Sequence, residues 1–414
     1  MNIINDTLFL EDISVETLMQ EYGSPLYVYE ESVLRSQFRQ LSSGFPEGLL
    51  EIHYSMKANS NPSLLKILRE EGSSIDAVSE FEVRLALESG FEPQQIIFTG
   101  NNNSLAEIEY CVEQEVSVNL GSLVLLEKFG QRFPQTSVSV RINPGIGAGH
   151  HKHCITGGPD SKFGIYHDQI DVALALATKY NLTLNGVHSH IGTGIYSAEP
   201  MLEAMEMILA VAEKFPDLEF IDFGGGFGIP YRPEQQALDM KDLSQKMTRR
   251  FTEFRQCYGR EISMKIEPGK LLVGPAGILL TTVTNITDTP KHRFVGVDSG
   301  FNHLLRPTLY GSYHKILNAS RYTGDEEDVV VVGYICESGD IFSRSGDEIE
   351  RNLPSPVIGE RLAFLDAGAY GFSMSSQYNS RPRPAEVLVH QGQSRLIRRA
   401  ETFEDLAQFF VDFN

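Results

Sequence analysis

From about residue 50 the chain repeats one unit, and this repetition restricts the architecture more than any other feature. The unit is a short apolar segment of β-formers, then a turn, then a stretch with helical periodicity. The strand candidates are EIHYSM (51–56), SIDAV (74–78), QIIFT (95–99), VSVNL (116–120), SVSVRIN (137–143), NGVHSHI (185–191), LEFIDF (218–223) and EISMKIE (261–267). Between them lie runs such as SLLKILREEG (63–72), EFEVRLALESG (80–90), DVALALATKY (171–180) and MLEAMEMILAVAEKF (201–215), with apolar residues every three to four positions. Eight alternating units predict a closed (β/α)8 barrel of the TIM type. An open doubly wound sheet is the competing layout, and it is disfavoured because no GxGxxG follows the first strand.

After Glu267 the pattern changes. GILLTTVTNI (277–286), HRFVGVD (292–298), VVVVGYIC (329–336), RLAFLDAG (361–368) and EVLVHQG (386–392) read as strands separated by turn-rich segments. The 414 residues are too many for one core, so we expect a barrel over 35–279 and a mostly β domain over 280–414. The strand-like SPLYVYE (24–30) precedes the first barrel unit, and residues 1–34 are expected to join the β domain. Thirty-five Lys and Arg against 55 Asp and Glu leave a net charge of −20, which repels a phosphate backbone and argues against general nucleic-acid binding. No apolar run is long enough to span a bilayer, so no membrane association is expected. The N-terminal MNIINDTLFLEDIS lacks a signal-peptide pattern. Cys111, Cys154, Cys257 and Cys336 show no CxxC spacing, and a reducing cytoplasm is the expected compartment.

A barrel presents its reactive groups on the loops at the C-terminal ends of its strands. Those ends carry Lys57 and Asn59, Asp76 and Ser79, Arg141 and Asn143, His190, Gly224 to Gly226, and Glu267. Alone, each has an ordinary explanation. Lys57 in HYSMKANSN is either a lysine snorkelling out of a strand end or an amine whose pKa falls in a partly desolvated site, freeing it as a nucleophile. The glycines of DFGGGFGIP make either a tight turn or a cradle in which bare N–H groups approach a phosphate. Glu267 in IEPGK suits a metal, a hydroxyl or a ring nitrogen. His190 suits stacking on a planar group, packing in the barrel mouth, or metal binding with His188, since alternation along a strand puts both on one face. The GHHKHC run (149–154) lacks regular metal spacing and reads as a solvated or substrate-gating loop, and no metal is expected. Together, a lysine amine, a Gly cradle, a stackable His and an acid fit one cofactor, pyridoxal 5′-phosphate, whose ring becomes a strong electron sink when a carboxylate keeps its nitrogen protonated.

The chain resembles the alanine-racemase-like (fold type III) pyridoxal-phosphate enzymes, and within them the diaminopimelate decarboxylases. The resemblance runs from GSPLYVYEE (23–31) through YSMKANSN (54–61), HIGTGI (190–195), GGGFGIPY (224–231), EPGK (267–270), VDSGFNHLLRPTLY (297–310), CESGD (336–340), DAGAYGFSMSSQYNSRPRPAEVLV (366–389) and RLIRRAETFEDL (395–406). It implies a homodimer with active sites shared across the interface, and decarboxylation of meso-2,6-diaminopimelate to L-lysine and carbon dioxide, the last step of lysine biosynthesis by that pathway. At matching positions it implies that Lys57 is the Schiff-base lysine and His190 the ring-stacking histidine. It makes Gly225, Gly226 and Thr193 phosphate ligands and Glu267 the partner of the pyridine nitrogen, with Gly269 and Lys270 beside the cofactor. Tyr378 reaches both phosphate and substrate, Arg306 and Tyr310 hold the carboxylate at the non-reacting end, and Cys336 and Glu337, from the partner subunit, are the proton donor and the distal-amine ligand. Two positions depart from the family pattern. Lys270 stands where EPGR is usual, replacing a bidentate guanidinium by a point charge. Thr193 replaces the serine of HIGS and keeps its hydroxyl. The same fold also serves other basic amino acids, and a non-catalytic pyridoxal-phosphate carrier needs only the barrel. RPTLY and CESGD speak for a zwitterionic distal end, because a bare amine leaves Arg306 unpaired.

Overall fold

The computed structural model describes residues 1–149 and 156–412, so the expected His-rich loop, His150 to Cys154, lies outside the described residues. The chain divides into two compact units: residues 35–229 with 236–271, and residues 1–34 with 230–235 and 272–414.

The first unit is the barrel. Its strands are Leu50–Ser55, Ser74–Ala77, Ile96–Phe98, Ser117–Leu120, Ser137–Asn143, Thr183–His188, Phe220–Asp222 and Ser263–Ile266. Each pairs in parallel with the next, and the eighth pairs with the first through Met264 opposite Leu50 and Ile266 opposite Ile52. The ring is therefore closed, which excludes the open sheet. Parallel strands covered by helices are buried on both faces, which is why IIF and FID read as continuous apolar runs interrupted only by Asp222. Helices start right after the strand ends, capped by the side chains of Asn61, Ser79, Ser104 and Ser122.

The early end of the sixth strand bears on the site. The sixth ends at His188, and Ser189 then donates its N–H to the Asp222 carbonyl at 2.9 Å as the chain turns out of the sheet. His188 and His190 thus do not share a strand face, and the alternation argument for a metal-binding pair fails.

The second unit is mostly β. The strand Leu26–Glu30 lies inside its main sheet, antiparallel to Gly277–Asp288 and parallel to Ala385–His390. Leu26 and Val28 pack there with Ile278, Leu280, Ala363, Val387 and Val389 in an apolar core. The expected strand over VVVVGYIC stops at Val332, and the chain from Gly333 to Cys336 folds into a turn instead. The carboxylate of Asp340 accounts for this, accepting the N–H groups of Ile335 and Phe301 at 2.7 Å each in place of a ladder partner. Among the described residues no helix is long and apolar enough to cross a membrane.

Candidate active site

At the C-terminal rim of the barrel, Lys57 lies in the short turn Met56–Ala58 that ends the first strand, and its Nζ is 3.1 Å from Oδ2 of Asp76. The parallel register sets Ser55 opposite Asp76, so the Ser55 hydroxyl also reaches Oδ2, at 2.8 Å, while the Thr99 hydroxyl donates to Oδ1. Asp76 is fully buried. A buried carboxylate with two hydroxyl donors and an ammonium is a fixed anchor that leaves the amine poised at the rim. Below it, burial and the Asp76 charge push Glu82 up to about 7, although its Oε2 accepts the Val78 N–H at 2.8 Å.

A second cluster crosses the barrel mouth. His188 Nε2 is 3.1 Å from Glu267 Oε2, and its Nδ1 is 3.0 Å from the Asn119 amide nitrogen. The Ser139 hydroxyl donates to Asn119 Oδ1 at 3.1 Å, so the Asn119 amide donates to Nδ1 and the ring hydrogen on Nε2 goes to Glu267. Burial opposes ionisation of Glu267, but His188, Lys57 and Arg141 outweigh it and bring the carboxyl down to about 2. The other oxygen, Oε1, is buried with no hydrogen-bond partner among the described residues. Asp222, opposite His188 in register, behaves in the reverse sense: burial and the Glu267 charge push its pKa well up. Its Oδ1 accepts the Gly224 N–H at 2.8 Å.

The glycines are required by close approach. A Cβ on Gly225 would lie 2.0 Å from the Glu267 carbonyl oxygen, and one on Gly226, whose φ is +101°, would lie 2.2 Å from that of Gly192. Gly225 N–H donates to His190 Nδ1 at 3.0 Å, which fixes the ring beside the loop. Burial, Arg141 and Lys57 hold the His190 pKa well below its usual value, so the ring is neutral. Arg141 donates to the His190 carbonyl at 3.3 Å and stacks on Phe163. Gly269 packs against Ala58 and Ser55, bringing the EPGK turn to the Lys57 turn, and Lys270 is buried next to it. Thr193 is half-buried in the loop after the sixth strand.

These groups fit pyridoxal phosphate on three observations. Glu267 is an ionised carboxylate with one unsatisfied buried oxygen, Gly225 and Gly226 form a turn packed so closely against backbone carbonyls that it admits no side chain, and Lys57 offers an amine on the same rim.

The remaining expected residues lie in the β unit, gathered by side-chain links. The helix Arg306–Tyr310 touches the CESGD turn through Thr308, whose hydroxyl donates to the Gly339 carbonyl at 3.0 Å. Cys336 donates its N–H to Asn379 Oδ1 at 2.9 Å, which ties that turn to Tyr378, itself stacked on Phe301 with centroids 5.6 Å apart. Cys336, Glu337 and Tyr378 are exposed, Tyr310 half-buried and Arg306 buried. Asp76 and Arg141 have no assignable role in the sequence alone, and Asn119, Asp222, Asp340 and His314 do not stand out in it. The readable signal for the acids was a lone carboxylate inside an apolar strand, as in SIDAV and FIDF.

Residues 31–274 match the family model described as pyridoxal-dependent decarboxylase, pyridoxal binding domain. A diaminopimelate decarboxylase of Methanothermobacter thermautotrophicus is 44% identical over 94% of this chain and 92% of its own. The diaminopimelate decarboxylase of Escherichia coli K12 is 37% identical over 95% and 96%. The solved diaminopimelate decarboxylase of M. jannaschii, in co-complex with L-lysine, superposes with a TM-score of 0.90 at 30% identity, covering 99% of this chain and 97% of that one. With kinship of this depth over both units, the chain belongs to the pyridoxal-dependent decarboxylases and, within them, to the diaminopimelate decarboxylase family.

Proposed function

We propose that this protein removes one carboxylate from meso-2,6-diaminopimelate to release L-lysine and carbon dioxide, the last step of lysine biosynthesis by the diaminopimelate pathway. The observation that carries the chemistry is the pairing, on one barrel rim, of the Lys57 amine anchored at Asp76 with an ionised Glu267 whose free oxygen is buried.

Pyridoxal phosphate, when bound, supplies a ring that accepts the electron pair left as carbon dioxide departs. The Lys57 amine would hold it covalently. Glu267 keeps a negative charge where the ring nitrogen must stay protonated, and His188 steadies that carboxylate through Nε2–H. Gly225, Gly226 and the Thr193 hydroxyl would line the cofactor's phosphate, Gly269 and Lys270 would border it, and Tyr378 would bind it as well. The neutral His190 ring would serve as the cofactor's stacking partner. Cys336 would serve as the proton donor of the decarboxylation. Arg306, Tyr310 and Lys270 take the distal carboxylate and Glu337 the distal amine. We assign Cys336 and Glu337 to the partner subunit's site in a cytoplasmic homodimer.

Borohydride reduction and peptide mapping, together with carbon dioxide release from a panel of amino acids, test this reading. A pyridoxyl adduct on Lys57 and turnover of diaminopimelate well above that of lysine or ornithine are expected. An adduct on another lysine overturns the site, and equal turnover of lysine overturns the substrate.

A further inference from the structure

Arg306 is buried to 3% exposure, yet it makes no ion pair with any carboxylate among the described residues. Among the described residues its hydrogen-bonding side-chain neighbour is a histidine: Nη1 lies 2.9 Å from Nε2 of His314, which is fully buried. The other ring nitrogen, Nδ1, is 2.8 Å from the Leu365 carbonyl. A carbonyl can only accept, so the ring hydrogen sits on Nδ1 and Nε2 offers its lone pair to the guanidinium. The backbone makes this geometry rigid. Leu365 N–H donates to the Lys315 carbonyl at 2.9 Å, and just beyond, Ile316–Asn318 pairs antiparallel with Arg361–Phe364. Tyr231 completes the mount, with its ring edge-on to His314 at 5.4 Å and the Arg306 guanidinium over it at 4.6 Å.

The choice of a neutral acceptor has a chemical consequence. A carboxylate in place of the imidazole would hold Arg306 by two parallel bonds, but it would also cancel its charge and repel an incoming anion. An imidazole with Nδ1 already committed fixes the direction of the guanidinium and leaves the positive charge uncompensated. The nearby Asp366 acts on Arg306 only through its charge at a distance, with no hydrogen bond or ion pair between them among the described residues, so it does not hold the guanidinium.

We propose that His314 is a positioning residue that aims Arg306 at the carboxylate of an amino-acid ligand while leaving its charge available. The proposal rests on the reading of Arg306 as the distal-carboxylate group, and it adds a specificity determinant behind it. L-Lysine and cadaverine differ by that carboxylate alone, so the ratio of their affinities for the holoenzyme, measured by calorimetry, isolates it.

In His314→Leu the dissociation constant of L-lysine should rise at least tenfold while that of cadaverine stays within twofold. His314→Gln, whose amide can accept from Arg306 and donate to Leu365, should restore L-lysine binding to within threefold of wild type. His314→Glu should neutralise Arg306 and weaken L-lysine at least tenfold, and with Gln it decides the question if the Leu variant does not fold. Equal losses for lysine and cadaverine, or Gln no better than Glu, would overturn the proposal. Arg306→Gln separates the two readings. If it weakens L-lysine selectively and the His314 variants do not, only the positioning role falls. If it leaves L-lysine binding unchanged, the distal-carboxylate assignment falls first.

Discussion

Replacing Asp222 by Asn tests whether the barrel mouth stores a proton next to Glu267. Asp222 is fully buried, its Oδ1 is satisfied by Gly224 N–H, and its Oδ2 has no partner among the described residues. One oxygen of each carboxylate and a nitrogen of His188 lie within 4.8 Å of one another. Two ionised carboxylates cannot share so small a buried volume, and the asymmetry of hydrogen bonding assigns the charge to Glu267 and the proton to Asp222. The sign of the pH effect follows. A carboxyl raised above its ordinary 3.8 adds stability that is fully present below that value and lost as pH rises through the folded-state value. While the native state holds the proton and the unfolded state does not, the loss is about 1.4 kcal/mol per pH unit. Between pH 5 and 7 this one group therefore costs the wild type up to about 3 kcal/mol. Glu267 has the opposite sign: its pKa falls from 4.5 to about 2, so its contribution is present above 4.5 and disappears only as pH drops through about 2, outside this window. Glu82, Asp340 and Asp366, raised to about 7, 6 and 6, titrate identically in both proteins and cancel in the difference. Asn keeps the shape and cannot lose a proton. Urea denaturation of the cofactor-free protein at pH 5, 6 and 7, followed by circular dichroism, should show the Asn variant gaining on wild type with each step. A stability difference independent of pH would refute the stored proton.

Gly225→Ala should weaken pyridoxal-phosphate binding at least tenfold in a fluorescence titration and destabilise the fold by about 1–3 kcal/mol, because the added Cβ meets a backbone carbonyl at 2.0 Å. Lys270→Ala should lower kcat/KM for diaminopimelate by about 1.5–3 kcal/mol with the cofactor absorbance band intact, the range for a charge-assisted hydrogen bond. Lys270→Arg should be tolerated or improve the enzyme, since the guanidinium fork binds a carboxylate with two bonds; a tenfold loss would show the pocket is shaped for the ammonium. Mixing Lys57→Ala with Cys336→Ala under subunit exchange should recover about a quarter of wild-type activity if sites are shared, since half the dimers are mixed and each has one intact site. No recovery after demonstrated exchange would place both residues in the same chain's site.

The barrel was legible before any coordinates because burial writes itself into local periodicity. Apolar strands alternate with helices carrying an apolar stripe, and their number and order settle how they close. Lys57, Gly225, Gly226 and Glu267 were legible for the same reason, each standing at a strand end where a barrel places its chemistry. What local pattern does not carry is which distant element comes alongside. That Asp76 is the partner of Lys57 follows from the parallel register of the first two strands. His188 grips Glu267, 79 residues away, only because the ring of strands closes across the mouth. The strand at Leu26–Glu30 found its neighbours some 250 and 360 residues later along the chain. The turn at Gly333–Cys336 overrode a β-forming run because the buried Asp340 supplied the hydrogen bonds a strand neighbour would have made. His314 reads in sequence as one more histidine. Its meaning comes from a lone pair facing Arg306, and that depends on where two strands set the Leu365 carbonyl.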